Sequence, residues 1–331
     1  MGAPGIRILD EVRRRCAVVS AGSELVRIDH DAIAGYADRL AVEGHGRDVE
    51  PPDPWLATGG DAEWRAGLVL ALDAVNFGSG YHPVVAKRPG LSGAVSMATA
   101  LREHVEQASV DGRSPLLAEE LAGLMPTDAH RIFGQPHDGG PVDELMGHFA
   151  TALADLGRLV GERYDGRYLA LVDAADHSAA RLVGILDQLP SFHDVATWHD
   201  LEVPFYKRAQ LAAADLSRAF DGAGPGRFDD LDQLTAFADN LVPHVLRVDG
   251  VLHYDPELAA TVDAGELLEP GSIAETEIRA AGIHAVELLC AQLAATGRPT
   301  TPQQLDYVLW FRGGAPTYKA VPRHRARSVY Y

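Results

Sequence analysis

Four charged residues in the C-terminal half of this 331-residue chain could do chemistry together. In "LTAFADNLVPHVL" (residues 234–246), Leu234, Phe237, Ala238, Leu241 and Val245 recur at helical spacing, yet Asp239 interrupts them just ahead of Pro243. Proline suits the first turn of a helix, where its missing N–H is not needed. The chain is therefore predicted to bend over Asp239–Val242 and start a new helix. A carboxylate at such a junction can face the helix N-terminus, whose partial positive charge and free N–H groups favour the ionised form. Two roles fit: Asp239 or Asn240 caps the new helix, or Asp239 is a fixed carboxylate at a cleft wall. In "PFYKRAQ", Lys207 and Arg208 fall in the first turn of a predicted helix, the wrong end for cations unless anions or solvent offset them. In "TPQQLDYVLWFRGG", Asp306 sits at the margin of an apolar stripe and needs donors, from Arg279 or from a ligand.

Other constellations carry less. "GAGPG" (222–226) and "NFGSGYHP" (76–83) lack the strand and the GK[ST] of a phosphate loop; the second reads as a helix end broken by Gly78 and Gly80. His-Asp pairs at His30–Asp31, His137–Asp138, His193–Asp194 and His199–Asp200 evoke a metal-dependent phosphohydrolase. However, "SFHDVATWHD" reads as loop and cap chemistry, and no HExxH accompanies it, so no metal ligand set and no cofactor are assigned.

The elements that must position these residues are mostly helical. "SIAETEIRAAGIHAVELLCAQLAATG" has one apolar stripe, a Ser272/Glu275 capping box and a Gly297 stop; Thr301, Pro302, Gln304 and Gly313 bracket another helix. "HSAARLVGILDQLP" puts Leu182, Val183, Leu186 and Leu189 on one face, and "PFYKRAQLAAADLSRAF" opens with Pro204. Short strands are expected at "RYLALVDA" and "GVLHY". Pro/Gly-rich breaks fall at 42–61, 135–141 and 221–227. The length suits one large domain, residues 1–331, or two lobes, 1–165 and 166–331 with the site in the second.

Composition bounds the partners. A formal charge of −18 argues against tracking a polymeric nucleic acid or an anionic membrane, while leaving room for a small phosphorylated ligand. Two distant cysteines, Cys16 and Cys290, suit a reducing compartment. "MGAPGIRILDEVRRR" has no apolar core of a signal sequence, and no run reads as long enough to span a membrane, so a cytoplasmic protein is expected. "RHRAR" (323–327) is a basic cluster in an acidic chain: a phosphate site or a basic tail.

Read in order, "DHSAARL", "LPSFHDVATW", "VPFYKRAQLAAADL", "FDDLDQLTAFADNLVPHVLRVDGVL", "PGSIAETEIRAAGIHAVELL", "LDYVLW" and "VPRHRARSVYY" resemble the queuosine salvage proteins, a family of queuosine 5′-phosphate N-glycosylases. "LDAVNF" (72–77) is a weaker upstream match. The resemblance implies a mostly α fold, compact and multi-helical, distantly similar to helix-hairpin-helix DNA glycosylases. It implies hydrolysis of the bond between a ribose 5′-phosphate and the 7-deazaguanine base queuine, with a nucleotide or nucleoside as the small-molecule partner; with no ligand set assigned, the reaction is expected to be metal-independent. It places the catalytic aspartate on Asp239 and the family lysine on Lys207. It puts base recognition on Phe237, Asp306 and Tyr307. Asn76, Phe77, Arg208, Phe311, His324 and Arg325 join them as substrate-binding candidates. The chain departs from the family at Asn240-Leu241, at Phe311, at Gly78-Ser79-Gly80 and at Leu201-Glu202. Another purine-like or 7-deazapurine nucleotide as substrate, or a non-catalytic nucleoside-binding role, are the rival readings.

Overall fold

The computed structural model describes residues 6–42, 59–112 and 114–331. Most of the break expected at 42–61, and the start of the N-terminal stretch read for a signal, lie outside them. In chain order the helices are α1 (Ile6–Gly22), α2 (His30–Val42), α3 (Ala62–Ala74), α4 (Gly93–Val110), α5 (Ala118–Ala122), α6 (Pro126–Phe133), α7 (Pro141–Arg163), α8 (Tyr168–Ala174), α9 (Ala179–Leu186), α10 (Lys207–Ala219), α11 (Leu241–Val248), α12 (Pro256–Asp263), α13 (Ile273–Ala295), α14 (Pro302–Arg312) and α15 (Pro316–Lys319). Strands β1 (Val26–Ile28), β2 (Val195–Trp198), β3 (Leu201–Pro204) and β4 (Leu252–Tyr254) form two antiparallel pairs, β1–β4 and β2–β3. The fold is mostly α, as the sequence predicts.

Two compact units interleave in sequence. One holds the described residues before Pro52 with Asp194–Lys207 and Asp232–Arg327; the other holds those from Gly59 to His193 with Arg208–Leu231 and Ser328–Tyr331.

In the first unit α13 is the core. Its apolar residues run all round the helix, the pattern of an element covered on every side. Ile278, Ala281, Ala285, Leu289 and Leu293 are fully buried, and α1, α2, α11, α14 and β1 pack against it. At 23 residues α13 is long and apolar enough to cross a membrane, contrary to the sequence expectation; here it is a core helix that also buries Glu275, Glu277 and Arg279. Ser272 caps it, accepting from the Glu275 amide, and Gly297 follows its end with a left-handed φ of 77°. The Thr301/Gln304 capping box and Pro302 start α14 as predicted.

Two glycines let α11 approach its neighbours. A Cβ on Gly282 would lie 2.8 Å from Pro243 Cγ, and one on Gly313 would lie 2.6 Å from Leu241 Cδ1. Pro243 thus serves twice, in the first turn of α11 and as the knob against α13.

The second unit is built on α7, with α3, α5, α6 and α8 against it. Its buried Arg208 is wedged between Phe77 and Phe192, whose ring centroids lie 4.6 and 4.8 Å from the guanidinium carbon.

Several expectations are corrected. "RYLALVDA" is α8, not a strand: Tyr168, Leu171, Val172 and Ala175 are buried at helical spacing. "SFHDVATWHD" enters the β2–β3 hairpin, with Val195 paired to Pro204 and Trp198 to Leu201. Pro204 therefore ends a strand, and α10 starts only at Lys207. Residues 234–239 are not helical despite their spacing; α11 begins at Leu241. "GVLHY" does supply β4, and α9 follows Ser178 as its N-cap.

Gly282→Ala is expected to destabilise the protein by about 1–3 kcal/mol, because the methyl must displace Pro243 or a packed helix. Gly35→Ala, on an exposed face of α2 with nothing within 4 Å of the new Cβ, is the opposite case and should stabilise by about 0.5–1 kcal/mol. Thermal melting of both variants checks this; equal shifts would remove the close approach of α11 as a constraint.

Candidate functional site

The site builds outward from Asp239. Its own amide donates to the Phe237 carbonyl at 2.6 Å, closing a γ-turn over Ala238. The turn aims the side chain at the start of α11, where Oδ1 accepts from the Leu241 and Val242 amides at 2.8 and 3.0 Å. These are two of the orphan donors that every helix start must satisfy. Oδ1 takes both, so the cap does not need Oδ2. Of the two sequence readings, the cap is what the geometry shows: Asp239 caps α11, and the two bonds fix its carboxylate.

Asp306, in the second turn of α14, is buried, and its Oδ1 accepts from the Phe237 amide at 2.8 Å. The same backbone stretch thus joins the two carboxylates. Burial pushes the Asp306 carboxyl well above the usual carboxylate range, and the charge of Asp239 pushes it further; the Phe237 amide and Lys207 oppose this. One carboxylate sits on a helix end, while the other favours its acid form. A buried carboxyl whose ionised form is disfavoured, beside a second carboxylate, is a feature of acid–base and electrostatic sites.

Lys207 is buried at the start of α10, and its amide donates to Asp194 Oδ2 at 3.1 Å. Tyr206, just before it, has a left-handed φ of 50°, an uncommon conformation for an aromatic residue. Asp194 holds this bend: its carbonyl accepts from the Phe205 and Tyr206 amides at 2.8 and 3.3 Å. Its carboxylate is gripped by Arg279 at 2.9 and 2.6 Å, a two-pronged buried ion pair. Arg279 Nε donates to the Ala238 carbonyl at 3.0 Å, and the guanidinium stacks on Phe205 at 4.0 Å. Arg279, offered by the sequence as a partner for Asp306, instead secures the segments carrying Asp239 and Lys207.

Tyr307 is half-buried and lies one turn before Phe311, with ring centroids 6.3 Å apart. Phe311 is an exposed residue and not part of the core. Phe237 is buried. The "RHRAR" segment is no loose tail: Leu268 and Ala326 form a parallel bridge, Arg325 donates to the Gly265 carbonyl at 2.7 Å, and Asn240 Nδ2 donates to the His324 carbonyl at 3.2 Å. Burial pushes the His324 ring down to about 3, so it is neutral near pH 7 and supplies no charge for a phosphate. Arg323 lies within reach of the Asp239 charge, which opposes the lowering that burial imposes on it. It is the cation of the cluster that the sequence reading passed over.

The queuosine salvage protein family matches residues 61–331. A queuosine 5′-phosphate N-glycosylase/hydrolase from Sphaerobacter thermophilus is 38% identical over 343 aligned positions, spanning the whole of both chains. This chain belongs to the queuosine salvage protein family. Proteins of the same description from Mus musculus and Dictyostelium discoideum are 29% and 34% identical, over 96% and 65% of this chain and 98% and 65% of their own. The family match includes Asp239, Asp306, Tyr307, Phe237 and Lys207, all in the first structural unit.

The remaining candidates belong to the second unit. Arg208 donates to the carbonyls of Ala74 (2.5 Å), Asp73 (3.3 Å) and Val329 (2.6 Å), and to that of Ser191. Phe77 packs edge-on to Phe149 at 5.0 Å and under Arg208. Both are core members of that unit, which leaves half-buried Asn76 as the most accessible of the three. The Gly-rich turn after Asn76 holds the chain's own main chain: the Gly78 and Ser79 amides donate to the Tyr331 oxygen at 2.9 and 3.3 Å. Within "SFHDVATWHD", both oxygens of Asp194 are bonded to Arg279, and His193 pairs with Asp187 at 2.8 Å.

The raised Asp306 carboxyl has a pH consequence. In the unfolded chain Asp306 ionises in the usual carboxylate range, whereas in the folded chain it keeps its proton longer. Between those two points the folded state binds more protons, so this group's contribution to stability falls as pH rises. Asp306→Asn keeps an acceptor for the Phe237 amide and removes the ionisation. Melting temperatures taken from pH 4 upward should show the variant gaining on the wild type as pH rises. Parallel curves would mean that Asp306 ionises as freely in the fold as outside it.

Proposed function

We propose that this protein hydrolyses the N-glycosidic bond of queuosine 5′-phosphate, releasing queuine, and that Asp239 stabilises the positive charge that develops at C1′. Family membership supports the reaction class; relatives named for this activity match the chain from end to end. The observation that carries the residue assignment is the fixed Asp239 carboxylate, held by two α11 amides beside a buried Asp306.

Cleaving an N-glycosidic bond makes C1′ cationic, as in glycoside hydrolysis. A carboxylate already held in place needs no reorganisation when that charge appears, and its effect is largest where water is excluded. Asp239 then acts as nucleophile or as the electrostatic partner of an attacking water. A 7-deaza base has no N7 to protonate, so the leaving group must be helped at its other edges. Asp306 suits that task in either form. As an acid it donates to a carbonyl of the base. As a carboxylate it accepts from a ring N–H of the base. Phe237 and Tyr307 supply faces for stacking, and Lys207 a cation for the phosphate or the departing base. No step needs a metal ion.

Incubation with queuosine 5′-phosphate, queuosine and ordinary purine nucleotides, with released base read by mass spectrometry, tests the substrate class. Asp239→Asn keeps the size and the cap acceptor but removes the charge. It should lower turnover by on the order of 10²-fold or more, with little change in fold by circular dichroism. Wild-type turnover in that variant would sink the assignment.

Chelation tests the metal-free mechanism. Turnover in EDTA should equal that of the untreated enzyme; loss of activity restored by a divalent ion would overturn it.

A further inference from the structure

In the second unit, one cluster of side chains has a hydrogen-bond pattern that a neutral imidazole cannot satisfy. His130 lies near the end of α6, His137 in the Pro/Gly-rich connection after it, and Asp143 in the first turn of α7. Asp143 Oδ1 is 2.8 Å from His130 Nε2 and 3.0 Å from His137 Nδ1. The two rings stack, with centroids 3.8 Å apart and planes 30° from parallel.

The other nitrogen of His130 sets its tautomer. Nδ1 lies 3.0 Å from the Gln135 main-chain oxygen, and a carbonyl can only accept, so Nδ1 carries the proton. In a neutral ring Nε2 then turns its lone pair on the Asp143 carboxylate. That contact is repulsive unless positive charge lies between the two atoms. A second ring proton would supply it; so would a metal ion. A ring held through Nδ1–H by a carbonyl, with Nε2 turned toward other donors, is the usual setting of a metal-ligating histidine.

The surroundings are fixed to match. Asp143 Oδ2 accepts from the Gly139 amide at 2.7 Å, which leaves Oδ1 as the ligand atom. Asp138 accepts from the amides of Gly140, Val142 and Asp143 and so holds the turn into α7. The Gln135 side chain is bound to both polar groups of the Ala86 backbone, at 2.9 and 3.0 Å, which anchors the residue that orients His130.

We propose that His130 Nε2, His137 Nδ1 and Asp143 Oδ1 form a binding site for a divalent transition-metal ion, zinc foremost, with solvent completing the coordination. Two imidazoles and one carboxylate select zinc over the oxygen-seeking magnesium and calcium. The three donor atoms all lie within 4.8 Å of one another. Tetrahedral zinc with bonds of about 2.0–2.1 Å asks for donors roughly 3.3 Å apart, so the short contacts must open by a few tenths of an ångström. His137, with 66% of its side chain exposed, can make that adjustment against the buried His130. The site would tie α6 to α7 across their connection. It does not rest on the proposed reaction, since Asp239, Asp306 and Lys207 have no part in it.

The test uses the full chain, stripped with chelator and desalted, then titrated with zinc chloride. Calorimetry and metal analysis after a second desalting should find about one zinc retained per wild-type chain. Zinc should raise the melting temperature, and cobalt should give a d–d absorption band. His137→Ala and Asp143→Asn should weaken binding by about 10–100-fold or more and abolish both signatures. His253→Ala, an exposed histidine beside Asp29, should change nothing. Because His137 is exposed, His137→Ala should melt like wild type without metal, and it decides the matter even if Asp143→Asn folds poorly. No retained zinc in the wild type, or equal retention in His137→Ala, would overturn the proposal.

Discussion

The buried ion pair between Arg279 and Asp194 is the interaction on which the candidate site depends. Burying either charge alone would cost several kcal/mol, and only a fully hydrogen-bonded pair recovers that cost. The pair is fully bonded here. Both carboxylate oxygens meet guanidinium nitrogens, Nε is used on the Ala238 carbonyl, and Phe205 covers the guanidinium face. Asp194 also holds the backbone of Phe205, Tyr206 and Lys207. One interaction therefore fixes the left-handed bend that presents Lys207 and the γ-turn that presents Asp239. A slip of either segment would leave a buried charge unpaired, so the geometry is specified much more sharply than apolar packing alone could specify it.

That precision makes a second, less comfortable feature tolerable. Two carboxylates are brought to one short backbone stretch: the Phe237 amide donates to Asp306, and Asp239 lies two residues further on. Asp239 gains from the α11 amides, while Asp306 has one amide and a buried position, so the burden of protonation falls on Asp306. A chain selected for stability alone would place an apolar residue at 306, as it does at Leu305 and Leu309, which are fully buried on the same helix. A costly polar group in an otherwise consistent helix is where functional sites are expected.

Much of this was legible in the sequence because it is written locally. The caps of α13 and α14, the Pro243 start of α11 and the apolar face of α9 each depend on residues within a turn or two of one another. What was not legible depends on partners far along the chain. Asp194 and Arg279 are 85 positions apart, and nothing near "SFHDVATWHD" announces that its aspartate belongs to α13. A signal did exist: an arginine on the buried stretch of a long, largely apolar helix must find a partner. Residues 234–238 misled for a similar reason. Their helical spacing is real, but Asp306 and Arg279 claim the Phe237 amide and the Ala238 carbonyl that a helix would have used internally. At "RYLALVDA" the error was one of period: a short apolar run fits strand and helix alike until the burial of Tyr168, Leu171 and Val172 chooses.

Lys207 and Arg208 show how adjacent residues of like charge can serve different ends. Successive residues on a helix point about 100° apart, so the two side chains leave the first turn of α10 in different directions. Both carry positive charge at the helix end that disfavours it, at a cost on the order of 0.3–1 kcal/mol each. Arg208 donates to four backbone carbonyls and lies between two aromatic faces. A planar guanidinium with five donors can be satisfied that way; a lysine at this position could not reach four carbonyls at once. Lys207 is compensated by charge, since it lies where it lowers the Asp306 carboxyl against the pull of burial and Asp239. Arg208, buried among main-chain carbonyls and aromatic rings, is structural. The residue whose field is felt by an ionisable pair is the one able to respond when a substrate changes the charge of that pair.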